Sequence, residues 1–215
     1  MTMLKIKSFA FNPIEVNTYI IYDDTKECVI IDASMYSKED EKLAADFIAE
    51  NELKVVRLLN THLHFDHCFG APFVYQTYGC KICANDKDYP LIDRMQEQLA
   101  MFGFPKQNKN FLLGEVINEG DIITFGNTTL TTFHIPGHSP GSIVYYESAG
   151  GNLFTGDVLF KESVGRADLP GGDYFQLRDG IESKLLVLPP TTVVYPGHGP
   201  STTIEHEINH NPYLR

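Results

Sequence analysis

The segment Thr61-His62-Leu63-His64-Phe65-Asp66-His67 puts four side chains able to ligate a metal, His62, His64, Asp66 and His67, into six consecutive positions. A polar loop that collects histidines by chance rarely reaches that density. Side chains alternate along an extended segment, so His62, His64 and Asp66 are expected on one side and His67 on the other. That arrangement suits two neighbouring metal positions better than one. Imidazole with carboxylate is a borderline-hard donor set that favours Zn²⁺, with Fe²⁺ or Mn²⁺ as alternatives.

Three later segments each end an apolar run with a ligand-type residue among glycines. Ile135-Pro136-Gly137-His138-Ser139-Pro140-Gly141 places His138 in a tight turn, Phe154-Thr155-Gly156-Asp157 places Asp157 just past a strand, and Tyr195-Pro196-Gly197-His198-Gly199-Pro200 places His198 in another turn. Glycine permits the backbone angles and close approach needed to aim a ligand inward. Alone, each of these is an ordinary turn or capping residue. Added to the first segment they make five His and two Asp, the supply a site for two divalent metal ions needs. His134, His206 and His210 are read as structural.

These residues need strands and turns to hold them. Lys54 to Leu59 reads as a buried strand leading into the first segment. Upstream, Ile6–Phe11, Val16–Tyr22 and Cys28–Asp32 read as a meander. Ser37 with Asp40 three residues on is a variant capping box opening a helix to about Asn51. Downstream, Phe69–Tyr78 is a predicted helix stopped by Gly79, Lys81–Ala84 a strand, and Asp86–Phe102 a longer helix. Phe104–Leu113 is irregular. Short strands follow at Val116-Ile117, Asp121–Phe125, Thr128–Ile135, Ser142–Tyr146 and Asn152–Thr155. Then come a helix over Asp173–Leu188, a strand over Val193–Tyr195, and a short last helix capped by Ser201 or Thr202. Two halves, each a sheet with its own helices, predict an α/β protein built as a four-layer αββα sandwich. No linker divides residues 1–215, so a single domain is expected.

Composition narrows the function. A net charge of −11 at pH 7 argues against nucleic acid as a partner. No stretch approaches a membrane span, and the N-terminus lacks an apolar leader, so a cytoplasmic protein is expected. Four cysteines are too few for a disulfide scaffold in 215 residues. Cys80 and Cys83, three apart in a strand-like segment, should face opposite sides as a buried reduced pair. Cys68, beside the metal segment, reads as a core residue.

Taken together, H-x-H-x-D-H, P-G-H-S-P-G-S, T-G-D and P-G-H-G-P resemble the metallo-β-lactamase superfamily, and within it the short bacterial glyoxalase II-like hydrolases (hydroxyacylglutathione hydrolase-like proteins). Asn17-Thr18-Tyr19, Gly165-Arg166-Ala167-Asp168 and Asn211-Pro212-Tyr213-Leu214 add to the likeness, which runs from about Val16 to Leu214. The resemblance implies one metal held by His62, His64 and His138, a second by Asp66, His67 and His198, and Asp157 between them. It implies a metal-bridging hydroxide as nucleophile, with Asp66 placed to orient it, acting on a small-molecule thioester such as S-lactoylglutathione. No serine or cysteine nucleophile is expected.

Glyoxalase II enzymes carry a C-terminal helical extension that grips glutathione, and this chain ends about where that would begin. Arg166 falls where the family has a basic substrate contact, and Asp168 where larger members have an aromatic one. Arg166 and Asp168 are therefore substrate-binding candidates, with a local Arg166–Asp168 salt bridge as the plain alternative. Persulfide dioxygenases resemble the chain in the same motifs but use one iron, which would map to His62, His138 and Asp157. Lactone hydrolysis would use the same metals. A secreted β-lactamase is disfavoured by the missing leader and RNA processing by the charge. A purely structural metal site is disfavoured because such sites are closed and Cys-rich.

Overall fold

In the computed structural model of the chain, residues 4–107 and 110–214 are described. Residues 1–3 at the N-terminus read as leaderless, and residues 108 and 109 of the irregular segment, lie outside them.

The first half runs β1 (Lys5–Phe11), β2 (Val16–Tyr22), β3 (Glu27–Ile31), α1 (Lys38–Glu50), β4 (Lys54–Leu59), α2 (Ala71–Tyr78), β5 (Ile82–Ala84), α3 (Tyr89–Asp93), α4 (Met95–Met101) and β6 (Leu113–Val116). Its sheet keeps chain order, β1-β2-β3-β4-β5-β6, antiparallel through β3 and parallel after it. The second half contains β7 (Ile122–Phe125), β8 (Thr128–His134), β9 (Ile143–Glu147), β10 (Asn152–Gly156), the hairpin β11 (Leu159–Phe160) and β12 (Ser163–Val164), α5 (Tyr174–Gly180), β13 (Val193–Pro196), β14 (Thr202–Thr203) and α6 (Ile204–His210). Its sheet is ordered β14-β13-β10-β9-β8-β7.

Strand alternation sorts the apolar side chains into three buried clusters. Ile20, Ile30 and Leu58 pack outward with Ala44, Ile48 and Val74 of α1 and α2. Their strand neighbours Tyr19, Ile21, Val29, Ile31 and Leu59 face the other sheet, meeting Ile123, Leu130, Ile143, Tyr145 and Phe154. The far side of the second sheet, Val144, Leu153 and Val194, packs with Leu177 of α5 and Ile204 of α6. Three clusters between four layers make the αββα sandwich the patterning predicts. Cys80 packs with the first cluster and Cys83 with the middle one, on opposite sides as expected, and both are free thiols.

The strands deliver the candidate residues to one edge. β4 ends at Leu59, two residues before Thr61. Parallel pairing of β10 with β13 sets Gly156 beside Pro196, so Asp157 and His198 leave together. The start of β9 lies near the end of β10, and the Ile143 amide donates to Thr61 O at 2.7 Å, joining the two halves at this edge.

Several expected boundaries move. The helix over Asp86–Phe102 is a capped 3₁₀ turn at Asp86–Asp88 followed by α3 and α4, broken at Arg94. The break accompanies Gln98, whose Nε2 donates to Leu91 O at 2.7 Å and whose Oε1 accepts from the Phe65 amide at 3.2 Å. The predicted Val116-Ile117 strand is β6, drawn earlier by its pairing with β5. The helix from Asp173 becomes α5 and closes in a π-turn at Ile181–Leu185. The last helix is capped by Thr203, whose Oγ1 accepts from the His206 amide at 3.2 Å, rather than by Ser201 or Thr202. Thr202 instead pairs with Val194 in β14 and donates to buried Glu207 at 2.6 Å. The hairpin of β11 and β12 is too short to show as a pattern.

The capping box at α1 forms as read: Ser37 Oγ accepts from the Asp40 amide at 3.1 Å, and Asp40 Oδ2 accepts from the Ser37 amide at 3.0 Å. Ser37→Ala should cost about 1 kcal/mol in urea unfolding and leave metal uptake unchanged. A change in metal affinity would show that α1 is coupled to the site.

Candidate metal centre

His62 and His64 leave the extended stretch after β4, and His138 sits in the turn between β8 and β9. His138 Nε2 lies 3.2 Å from His62 Nε2 and 2.9 Å from His64 Nδ1. Nitrogens that share a tetrahedral zinc at about 2.05 Å stand about 3.3 Å apart, so the three converge at ligand spacing. A second group forms from Asp66, His67 and His198, with His198 Nε2 3.5 Å from Asp66 Oδ2 and His67 Nε2 3.9 Å from it. Asp157 stands between the groups. Its Oδ1 is 3.4 Å from His67 Nε2, and its Oδ2 is 3.6 Å from His138 Nε2 and 3.5 Å from His198 Nε2.

Asp66 does not side with His62 and His64 as strict alternation predicts. The chain turns into a 3₁₀ helix at Phe65–His67, which swings Asp66 and His67 to the same group. This is the division that the resemblance implied. Among the described residues, Cys68, His134, His206 and His210 belong to no such group. Cys68 is buried in the core, as read.

The outward nitrogens are held by the protein, which fixes ring orientation. His67 Nδ1 meets Asp32 Oδ2 at 3.0 Å, His138 Nδ1 meets Arg166 O at 2.9 Å, His198 Nδ1 meets Ile14 O at 3.0 Å, and His62 Nδ1 meets Thr61 Oγ1 at 3.1 Å. Asp32 also accepts from the Thr61 amide and hydroxyl, at 2.8 and 2.7 Å. Asp88 clamps the two loops of the first group. Its Oδ2 accepts from the Leu63 amide at 3.2 Å and Ser139 Oγ at 2.7 Å, and its Oδ1 accepts from the Gly141 amide at 2.6 Å. Asn17 and Tyr19 of β2 hold the His198 turn: Asn17 Nδ2 donates to Pro196 O and Gly199 O, and Tyr19 Oη donates to Pro196 O.

Reading the sequence missed Asp32 and Asp88. Asp32 left one signal, a lone acid closing the apolar run C-V-I-I-D, and its φ of 54° marks a held backbone. Asp88 left none, since it read as a helix residue. Gly197 is required: a Cβ there would run into Asp157 Oδ1 and stand 2.8 Å from His67 Cε1.

Arg166 and Asp168 lie outside the cluster and form a two-point ion pair at 2.7 and 2.8 Å on the surface. The Arg166 guanidinium holds the Asp168 carboxyl down to about 2. Arg166 also lines an open cleft of about 510 Å³ that reaches Asp157, His138 and His198.

The electrostatics of the two groups differ. Burial, with neighbouring imidazoles, pushes His62 well below the ordinary histidine range and His64 down to about 3. Both are neutral and ready to ligate. Burial also opposes charge on His67 and His198, but carboxylates outweigh it: Asp157, Asp32 and Asp66 hold His67 well above its usual value, and Asp157 and Asp66 raise His198 to about 10. In return, and against burial, His67 and His198 keep Asp66 and Asp157 ionised. His67 Nε2 and Asp157 Oδ1 are nevertheless buried without a hydrogen-bond partner. Such atoms are costly unless something else satisfies them, and the donor set fits divalent metal.

The family model for the metallo-β-lactamase superfamily matches residues 12–198. A hydroxyacylglutathione hydrolase GloC from Haemophilus influenzae is 37% identical over 213 residues, covering 98% of each chain. Among solved structures, the BLEG-1 B3 metallo-β-lactamase superposes with a TM-score of 0.89 at 35% identity, over 98% of this chain and 99% of that one. TTHA1623 in a di-iron-bound form superposes with a TM-score of 0.85 at 34% identity, over 97% and 100%.

Asp32→Ala should weaken metal binding about 10- to 100-fold, read by competition with a chromophoric chelator; unchanged affinity would remove Asp32 from the support of His67. A second expectation follows from the raised histidines. Metal needs neutral imidazole, so loading the metal-free protein at pH 7.5 should release about two protons, and affinity should rise with pH toward 10. Calorimetry in buffers of different ionisation enthalpy reads this directly. Uptake without proton release would contradict the charged state of His67 and His198.

Proposed function

The chain belongs to the metallo-β-lactamase superfamily, and from that premise we propose a two-metal hydrolase that cleaves thioesters of the S-lactoylglutathione kind. The observation that carries this reading is the position of Asp157 Oδ2, 3.6 Å from His138 in one group and 3.5 Å from His198 in the other. A single-iron site on His62, His138 and Asp157 would leave Asp66, His67 and His198 as a second converging group without a use.

In this reading His62, His64 and His138 would hold one ion and Asp66, His67 and His198 the other, with Asp157 available to both. Zinc is the ion the donor set favours, with iron or manganese as alternatives. When bound, such ions supply a water acidified toward a pKa of about 7 and polarise the carbonyl under attack. The protein offers no rival nucleophile at the site. Burial, with Asp32 and Asp66, pushes the Cys68 thiol well above the thiol range, and Asn60 Nδ2 sits 3.6 Å from its sulfur. The Ser139 and Ser142 hydroxyls are engaged with each other, and Ser139 also with Asp88. Asp66, kept ionised by His67 and His198, would orient the attacking water. Arg166 lies along the open cleft, where a substrate carboxylate would compete with Asp168 for its guanidinium. Exposed ion pairs of that kind are weak, so the exchange costs little. Asp168 then acts as the residue that parks Arg166 between substrates.

Purified protein should carry about two metals per chain by mass spectrometry and hydrolyse S-lactoylglutathione. One iron per chain with glutathione-persulfide-dependent oxygen uptake would replace this reading with the dioxygenase one. Asp157→Ala should lose metal and turnover together, because one side chain serves both groups. Two retained metals with normal turnover in that variant would refute the assignment.

A further inference from the structure

A second cleft reaches the cluster at His64, and it differs in chemistry from the first. It has a volume of about 80 Å³, and its apolar lining is Leu91, Met101, Phe102, Leu169 and Pro170. We propose that this cleft is an acyl pocket, which makes the protein's preferred substrates thioesters with an apolar, unbranched acyl group of about four carbons. The proposal rests on the thioesterase reading above and names its substrate class.

Three observations support it. First, the surface of this cleft is mostly apolar, and its polar groups are partly engaged. Arg94 Nε is paired with Glu97 Oε2 at 2.7 Å at the solvent-exposed rim, and both ends of the Gln98 amide are bonded to backbone, at Leu91 O and the Phe65 amide. Methylenes on the acyl group would meet apolar walls, whereas a hydroxyl would exchange its water only for the exposed rim groups. Second, the wall is tied to the metal segment. The Phe102 ring stacks on Phe65 at 5.1 Å, and Phe65 stands between His64 and Asp66. A chain lying along it runs directly from the cluster. Third, the first cleft is larger, about 510 Å³, and bears Lys161 and Arg166. A long, anionic thiol carrier of the glutathione type matches that side by size and charge, which leaves the acyl arm for the apolar side. An apolar cavity of roughly 150 Å³ holds a six-carbon benzene ring, so about half that volume accommodates about three carbons, those of a butyryl group beyond its carbonyl, before a chain emerges into water.

S-Alkylglutathiones test the pocket without turnover. Affinities of S-methyl-, S-propyl-, S-butyl- and S-hexylglutathione are measured by calorimetry on the metal-free and the zinc-loaded protein. Hydrolysis of acetyl-, lactoyl-, butyryl- and hexanoylglutathione is measured beside them. Affinity and kcat/KM should rise about fourfold per methylene up to butyl and butyryl and then level off, with butyryl ahead of lactoyl. Met101 is 63% exposed, so Met101→Glu should fold normally while lowering the butyryl-to-acetyl ratio about fivefold or more. Leu169→Ser should lower the same ratio. Lys161→Ala should weaken every thioester alike and leave the ratio in place. A flat or lactoyl-led series, or ratios insensitive to Met101→Glu and Leu169→Ser, would overturn the acyl pocket while leaving the thioesterase standing. Failure of the zinc-loaded protein to cleave any thioester would overturn both.

Discussion

The structure turns on one largely enclosed carboxylate that stands between two groups of imidazoles. Hydrogen bonds within the protein do not satisfy Asp157: its Oδ1 lacks a hydrogen-bond partner and lies 3.4 Å from His67 Nε2, and its Oδ2 meets ring nitrogens of both groups. A charge in that position is tolerated because His67 and His198 offset it. Everything around it serves to keep those groups at that distance. Gly156 and Gly197 let the backbone pass close by, and the parallel pairing of β10 with β13 places Asp157 and His198 on adjacent strand ends.

The surrounding frame spends buried polar groups on positioning loops. Asp32 and Asp88 are both buried acids, and each ties separate stretches of chain together. Asp32 links β3 to Thr61 and His67, while Asp88 links the first histidine segment to the turn of His138. The second group is steadied from β2 through Asn17 and Tyr19. A loop site built this way can be rigid without secondary structure of its own, because His62, His67, His138 and His198 each have one nitrogen fixed and the other turned to the cluster.

The αββα layering was legible because the order of short apolar strands and helices repeats in two halves, each a sheet with its own helices. The seven candidate ligands were legible because their residue types are rare at such density and sit beside turn-forming glycines. What could not be read depends on contacts distant in sequence. Asp66 changes sides through a 3₁₀ turn that periodicity does not encode. Asp88 reads as an unremarkable helix acid until the fold brings Ser139 and Gly141 to it, 51 and 53 residues away. The break at Arg94 and the two-residue strands β11, β12 and β14 are likewise set by neighbours. Local propensity is silent where tertiary hydrogen bonds decide.

The converging rings come from stretches far apart in the chain: His62 and His138 are 76 residues from each other, and the turn of His198 is held by Asn17, 182 residues before Gly199. During synthesis, therefore, the emerging polypeptide exposes an H-x-H segment long before the remaining donors exist. Chains are made at about 5–20 residues per second, so several seconds separate the first donors from the last. In that interval only the four donors of one short segment, His62, His64, Asp66 and His67, are available to a passing ion, without the His138, Asp157 and His198 that complete the two groups. Tight capture must wait until both sheets have docked, which makes metal occupancy a report of completed folding rather than an aid to its beginning.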